Sequence, residues 1–196
     1  MATKSERRRK KILEAAAYLF AERGYSNVGV DDIGEAVGVT GPAVYYYFSG
    51  KQAVLAALFE EGLLGILQDA EDARREQDPQ RAAADLVERH VARALKQRAT
   101  SRLTLTSFDA LPAEDVPRLR SLQHRYMKHW AELLQALDPS ADRAQCRARA
   151  IALLGMLNAV VLWDVSSTLV TVQREVVAMA LKSLGLDPSL AGQRPA

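Results

Sequence analysis

Apolar residues in this chain recur at helical spacing, and the recurrence is interrupted at glycine and proline. Ile12, Ala15, Ala16, Leu19 and Phe20 stand at i, i+3, i+4, i+7 and i+8, one face of a helix from about Ser5 to Arg23 that stops at Gly24. Asp78-Pro79, Asp138-Pro139-Ser140 and Asp187-Pro188-Ser189 punctuate the rest, since Asp can cap a helix and Pro can enter its first turn. Between these marks lie helical segments of about 79–99, 101–110, 116–137, 142–165 and 168–185. Pro112 and Pro117 argue for a break around Leu111–Val116. No segment alternates with strand period, so the expected fold is all-α.

Near the front two short helices are expected. Val30 to Val37 carries Asp31 and Asp32 at its positive dipole end and turns Ile33, Ala36 and Val37 inward. After Gly38, Thr40 is placed to cap a helix from Gly41 to about Phe48, with Pro42 in the first turn. Two short helices separated by Gly38-Val39-Thr40 make a helix-turn-helix. Ser49-Gly50-Lys51-Gln52 reads as a capping box opening a long helix through about Arg75.

Charge divides unevenly. Residues 1–51 hold eight Lys/Arg against six Asp/Glu, whereas the remainder balances, and Lys4, Arg7, Arg8, Arg9, Lys10 and Lys11 stand against Glu6 in the first eleven residues. A basic arm on a neutral body suits a polyanion, nucleic acid or acidic membrane, although a solvated terminus has the same composition. One cysteine, Cys146, allows no internal disulfide, and the basic N-terminus lacks a secretory apolar stretch, so a cytoplasmic setting is expected. No run of about 18 uncharged apolar residues occurs; Asn158 and Asp164 interrupt the nearest, 151–172.

Tyr45-Tyr46-Tyr47-Phe48 constrains function more than charge does. Successive side chains turn by about 100° on a helix, so a short helix cannot bury four aromatics in a row. Val44 and Phe48, four apart, are the expected core pair against Ile33 and the first helix, which leaves Tyr45, Tyr46 and Tyr47 to face outward. A phenol hydroxyl can donate to phosphate and its ring can lie against a thymine methyl; packing on a neighbouring element is the alternative.

The stretch from Gly24-Tyr25 through Val28-Gly29-Val30, Asp32-Ile33-Gly34-Glu35-Ala36-Val37-Gly38-Val39-Thr40-Gly41-Pro42-Ala43-Val44-Tyr45-Tyr46-Tyr47-Phe48 to Lys51 resembles the DNA-binding signature of TetR-family repressors, with matching spacing throughout its 28 residues. The resemblance implies an N-terminal three-helix DNA-binding domain at 1–50 and a helical effector-binding and dimerisation domain at 51–196. It implies phosphate contacts from Thr40, Tyr45, Tyr47 and Lys51, and positions facing base edges at Gly41, Pro42 and Ala43. Tyr46 falls at a variable, DNA-facing position, and the arm including Arg7 and Arg8 would add backbone or minor-groove contacts. Gly29 stands where that family usually has a capping Thr. Gly34 replaces the usual Ala at a helix-propensity cost of up to about 1 kcal/mol. Because Gly41, Pro42 and Ala43 offer bases no side-chain hydrogen bond, sequence reading is expected from apolar contacts, Tyr46 and DNA shape.

Such repressors pair their last two long helices as a dimer. Here Ile151, Leu154, Val161 and Val165, with Leu169, Val172, Val176 and Met179, supply the apolar surface, part of which an intramolecular core will claim. A dimer also places two short recognition helices on half-sites of a palindromic DNA operator. Candidates to line an effector pocket are Phe59, Leu63, Leu105, Phe108, Tyr126, Met127, Trp130, Asn158 and Trp163. The Gly155-x-x-Asn158-x-x-x-x-Trp163 stretch resembles one in some TetR-type regulators of lipid breakdown, which implies a hydrophobic or acyl-CoA-type effector releasing a repressor from DNA.

No catalytic group, metal site or cofactor is expected. His124 and His129 stand five apart, about 140° round a helix, and make no two-His metal face. No phosphate loop or nucleophile elbow occurs. The competing class is a basic-armed helical module that binds a membrane surface or a protein without operator specificity.

Overall fold

The computed structural model describes residues 3–163 and 168–192, and no strand occurs among them. The helices are α1 (Lys4–Arg23), α2 (Val30–Ala36), α3 (Gly41–Tyr45), α4 (Lys51–Ala73), α5 (Pro79–Lys96), α6 (Arg98–Thr106), α7 (Val116–Leu137), α8 (Arg143–Ala159) and α9 (Leu169–Ser183). The chain groups into two compact units, one of residues 1–62 with 99–120, the other of 63–98 with 121–196. The division falls inside α4.

Local chemistry explains most of the ends. Thr3 and Glu6 exchange hydrogen bonds across the start of α1, each satisfying a backbone N–H that the helix leaves unpaired. Gly24 ends it at φ 80°, a backbone shape that a side chain would strain. Asp78 caps α5 by accepting from the Gln80 N–H, with Pro79 in the first turn. Before α8 the expectation needs correction: Asp142, in a capping box with Gln145, starts the helix. Asp138 instead accepts from the Ser140 hydroxyl at 2.6 Å and from Arg149, which together hold its carboxyl down at about 2.

Two helices stop earlier than their apolar patterns suggested. α3 ends at Tyr45 rather than Phe48, although Phe48 N–H still donates to Val44 C=O at 3.1 Å. α8 ends at Ala159 rather than near 165. The chain there tightens into i to i−3 bonds, Val161 to Asn158 and Leu162 to Ala159, so the residues up to Trp163 leave the helical register.

In the N-terminal unit Ile12, Leu13, Phe20, Ile33, Val44 and Phe48 are buried, as the helical faces required. The C-terminal unit is built on α5, α8 and α9, which pack on one another over a core of Leu86, Val87, Val91, Trp130, Leu134, Leu153, Leu157 and Leu181. Many neighbours in that core are alanines, Ala83, Ala84, Ala150 and Ala180 among them, which permits close helix approach.

Candidate functional site

The helix-turn-helix is set by contacts that its sequence only partly advertises. Gly29 precedes α2 and has no side chain with which to cap it; Asp32 compensates by accepting from the Gly29 N–H at 2.7 Å, and Asp32 also pairs with Arg23 at 3.5 Å. Gly34 is required by packing. A Cβ there would lie 2.9 Å from Val39 O and 3.1 Å from the Thr40 carbonyl carbon, so the turn between α2 and α3 rests directly on the α2 backbone. The propensity lost at Gly34 is therefore the cost of bringing that turn in.

At the recognition helix the tyrosines divide as the rotation of a helix requires. Val44 and Phe48 are buried, while Tyr45 is 56% and Tyr46 80% exposed. Tyr47 is half-buried, edge-on to Tyr46 with ring centroids 5.0 Å apart. Pro42 is exposed, Ala43 half-exposed and Gly41 buried. Gly41 therefore does not lie open to a base edge, because the Asp31 carboxylate covers it, within 1.8 Å of where a Cβ would stand. Thr40 precedes α3 as expected, but its hydroxyl makes no capping bond; the Thr40 carbonyl accepts from Ala43 N–H instead, and the exposed hydroxyl is left outward.

The largest departure is Lys51. Its ammonium donates to Tyr25 O at 3.1 Å, Ser26 O at 3.3 Å and Val28 O at 3.1 Å, and lies 4.6 Å from the Tyr25 ring centroid. An ammonium has three N–H bonds, and all three are directed at carbonyls of the α1–α2 connection, so none is directed outward to a phosphate. In the basic arm Arg7 is exposed, whereas Arg8 turns in to donate to Val37 O at 3.4 Å. Arg9 pairs with Glu61 at 2.9 Å and covers the Phe48 ring at 5.0 Å. Part of the arm's charge thus braces the unit.

The pocket candidates do not form one group. Phe59, Leu105 and Phe108 belong to the N-terminal unit, where Phe59 and Phe108 meet edge-on at 5.9 Å and Leu105 is exposed on the side of α6 opposite buried Leu103. Leu63, Tyr126, Met127, Trp130, Asn158 and Trp163 belong to the C-terminal unit. Trp163 is 73% exposed because α8 has already ended.

Tyr126, Trp130 and Asn158 do come together, around a residue that had no assigned role. Buried His90 on α5 lies 2.7 Å from the Tyr126 hydroxyl through Nδ1 and 3.1 Å from Asn158 Oδ1 through Nε2. An amide oxygen only accepts, so Nε2 carries the proton, Nδ1 is bare and Tyr126 donates to it. Burial pushes the His90 pKa down and the Tyr126 pKa up, keeping both neutral. The Trp130 ring stands edge-on to Tyr126. Beside this cluster Arg93 clamps Asp69 with two N–H bonds, its guanidinium lying over Gly65 where no side chain intervenes.

On α8 and α9, Ile151, Leu169, Val170 and Met179 are exposed, as is Leu162 just past the end of α8. Leu154, Val172 and Val176 are half-buried against the core, and Val161 is fully buried in it, so Val161 is a core residue rather than an interface one. Val165 lies outside the described residues.

Residues 12–58 match the family model for bacterial regulatory proteins of the tetR family, and residues 77–165 match the tetracyclin repressor-like C-terminal domain. The chain belongs to the TetR family. The repressor KstR2 of Rhodococcus jostii is 35% identical over 107 residues, 54% of this chain and 44% of that protein. The chain spans less than half the length of such curated relatives. Among solved structures, the TetR-family regulator PfmR of Thermus thermophilus superposes with a TM-score of 0.77 at 26% identity, over 87% of this chain and 97% of that one. AibR, solved in complex with isovaleryl coenzyme A and operator DNA, has the same fold, with a TM-score of 0.76 at 19% identity over 92% of this chain and 98% of its own.

Proposed function

We propose that this TetR-family chain is a ligand-responsive transcriptional regulator, a repressor that binds a palindromic operator as a homodimer and is released by a small hydrophobic effector. The observation that carries the reading is the end of α3, where Tyr45 and Tyr46 face solvent while Val44 and Phe48 anchor the same turn. Rings so exposed at the tip of a helix-turn-helix are placed to meet phosphate, sugar and base edges. Outward-facing Thr40, half-buried Tyr47 beside Tyr46 and the exposed arm cation Arg7 fit the same surface, and Arg8 joins it if it releases Val37. AibR, which shares this fold and was solved with isovaleryl coenzyme A and operator DNA, supports an operator-binding, effector-responsive role.

Dimerisation follows from α8 and α9. Ile151, Leu169 and Met179 need cover, and a second copy supplies it by symmetry. A membrane-surface role is less well supported: no described helix is long and apolar enough to cross a membrane, and Arg8 and Arg9 turn toward the protein rather than outward. The reading is tested by titrating the chain onto a labelled duplex at several salt concentrations. Two chains per palindrome, with specific binding outlasting non-specific binding as salt rises, support it; equal affinity for all duplexes contradicts it.

A further inference from the structure

Gly41, Pro42 and Ala43 open α3 with almost no side-chain chemistry, and the space at Gly41 is filled from α2 instead. A Cβ on Gly41 would lie 1.8 Å from Asp31 Oδ1 and 3.0 Å from Asp31 Cγ, so the Asp31 carboxylate occupies the place that a side chain at residue 41 would take. Asp31 and Gly34 stand three apart on one face of α2. The backbone of Val39, Thr40 and Gly41 rests on Gly34, at 2.9, 3.1 and 3.2 Å from where its Cβ would be. That contact fixes α2 against the start of α3, and with it the position of the Asp31 carboxylate. Asp31 is exposed, and its carboxylate has no hydrogen-bond partner or ion pair among the described residues. Its neighbour Asp32 is committed, to the Gly29 N–H and to Arg23.

We infer that Asp31 is a base-reading residue: its carboxylate, standing in for the side chain that Gly41 lacks, accepts a hydrogen bond from a cytosine amino group in the major groove at one position of each half-site. This rests on the reading of the chain as an operator-binding regulator and adds a polar contact to the tyrosine rings. In a helix-turn-helix the first residues of the recognition helix are those that meet base edges, and Asp31 lies over the first residue of α3. A carboxylate only accepts. Guanine N7 and O6 and thymine O4 are acceptors and repel it, and adenine sets its N7 acceptor beside its amino group. Cytosine offers an amino group with no acceptor on the same base edge. Turned to the phosphates, the carboxylate would meet like charge; the tyrosine hydroxyls of α3 and the exposed Arg7 are the groups that suit those.

The test selects duplexes from a randomised pool with the full parent chain, Asp31→Asn and Gly41→Ala, then measures the affinity of each chain for the selected palindrome and its single-base variants. The parent chain is expected to favour cytosine at one position of each half-site by about tenfold over the other bases. Asp31→Asn keeps the size but both donates and accepts, and is expected to shift that position to adenine while the rest of the motif stays as it was. Gly41→Ala pushes the carboxylate aside without removing its charge and is expected to flatten the preference at the same position. Should Gly41→Ala fail to fold, Asp31→Asn, a near-isosteric change at an exposed residue, decides the matter. An unchanged motif in Asp31→Asn overturns the inference, as does an affinity that rises alike for every duplex, which would set the carboxylate against phosphate. A motif that ignores Asp31 overturns this inference alone; a parent chain that selects no motif overturns the regulator reading, and this inference with it.

Discussion

The Lys51 ammonium lies 4.6 Å from the centre of the Tyr25 ring and 3.1 Å from the Tyr25 carbonyl oxygen, binding the first residue of α4 to the connection that follows α1. Two further carbonyls, of Ser26 and Val28, complete the cage. Lys51 thus orients the helix-turn-helix from behind. Lys51→Met is expected to lower stability by about 1–3 kcal/mol through three carbonyls that lose a charged donor. Thermal unfolding checks it; an unchanged midpoint with weakened DNA binding would return Lys51 to a direct phosphate role.

Gly34→Ala is expected to destabilise the chain by about 1–3 kcal/mol although alanine is the better helix former, because its Cβ would press on Val39 O at 2.9 Å. Chemical denaturation of the variant measures the sign directly. A gain in stability would mean that the turn moves away without cost.

His90 makes stability depend on pH. Its folded pKa lies below the ordinary 6.5, mainly through burial, so below that pH the unfolded chain takes up a proton that the folded one refuses. Stability is complete above 6.5 and falls as pH drops toward the folded value, by up to about 1.4 kcal/mol per pH unit. His129, whose pKa is also lowered, first by burial and then by the neighbouring Arg74, adds a contribution of the same sign. Urea unfolding at about pH 7.5 and 5.5 should show a smaller difference in His90→Gln than in the parent chain.

Ile151→Glu with Met179→Glu places charge on exposed positions of α8 and α9 and is expected to give monomers without loss of helix content. Light scattering reads the mass. A dimer that survives both changes would move the interface elsewhere.

The all-helical fold was legible because apolar periodicity and Asp-Pro or glycine breaks coincide, and the burial of Ile33, Val44 and Phe48 follows from the same spacing. Where helices end was less so, since α3 and α8 stop by tightening into i to i−3 bonds that no residue type announces. The roles of Lys51 and Gly34 depend on backbone carbonyls, which have no sequence signature. His90 did leave a trace: with Val87, Val91 and Ala94 it shares the buried face of α5, an imidazole on an apolar stripe that needs partners. Those partners, Tyr126 and Asn158, lie on distant helices that only tertiary packing brings near.

The central claim, a sequence-reading surface at the end of α3, is tested most directly by selecting bound duplexes from a randomised pool with the parent chain and with Tyr46→Ala. Tyr46 is 80% exposed, so the change should leave stability within about 0.5 kcal/mol. The account predicts that the parent chain enriches a palindrome and that Tyr46→Ala enriches a more degenerate one. No enriched motif with the parent chain, or an identical motif from both, would contradict it.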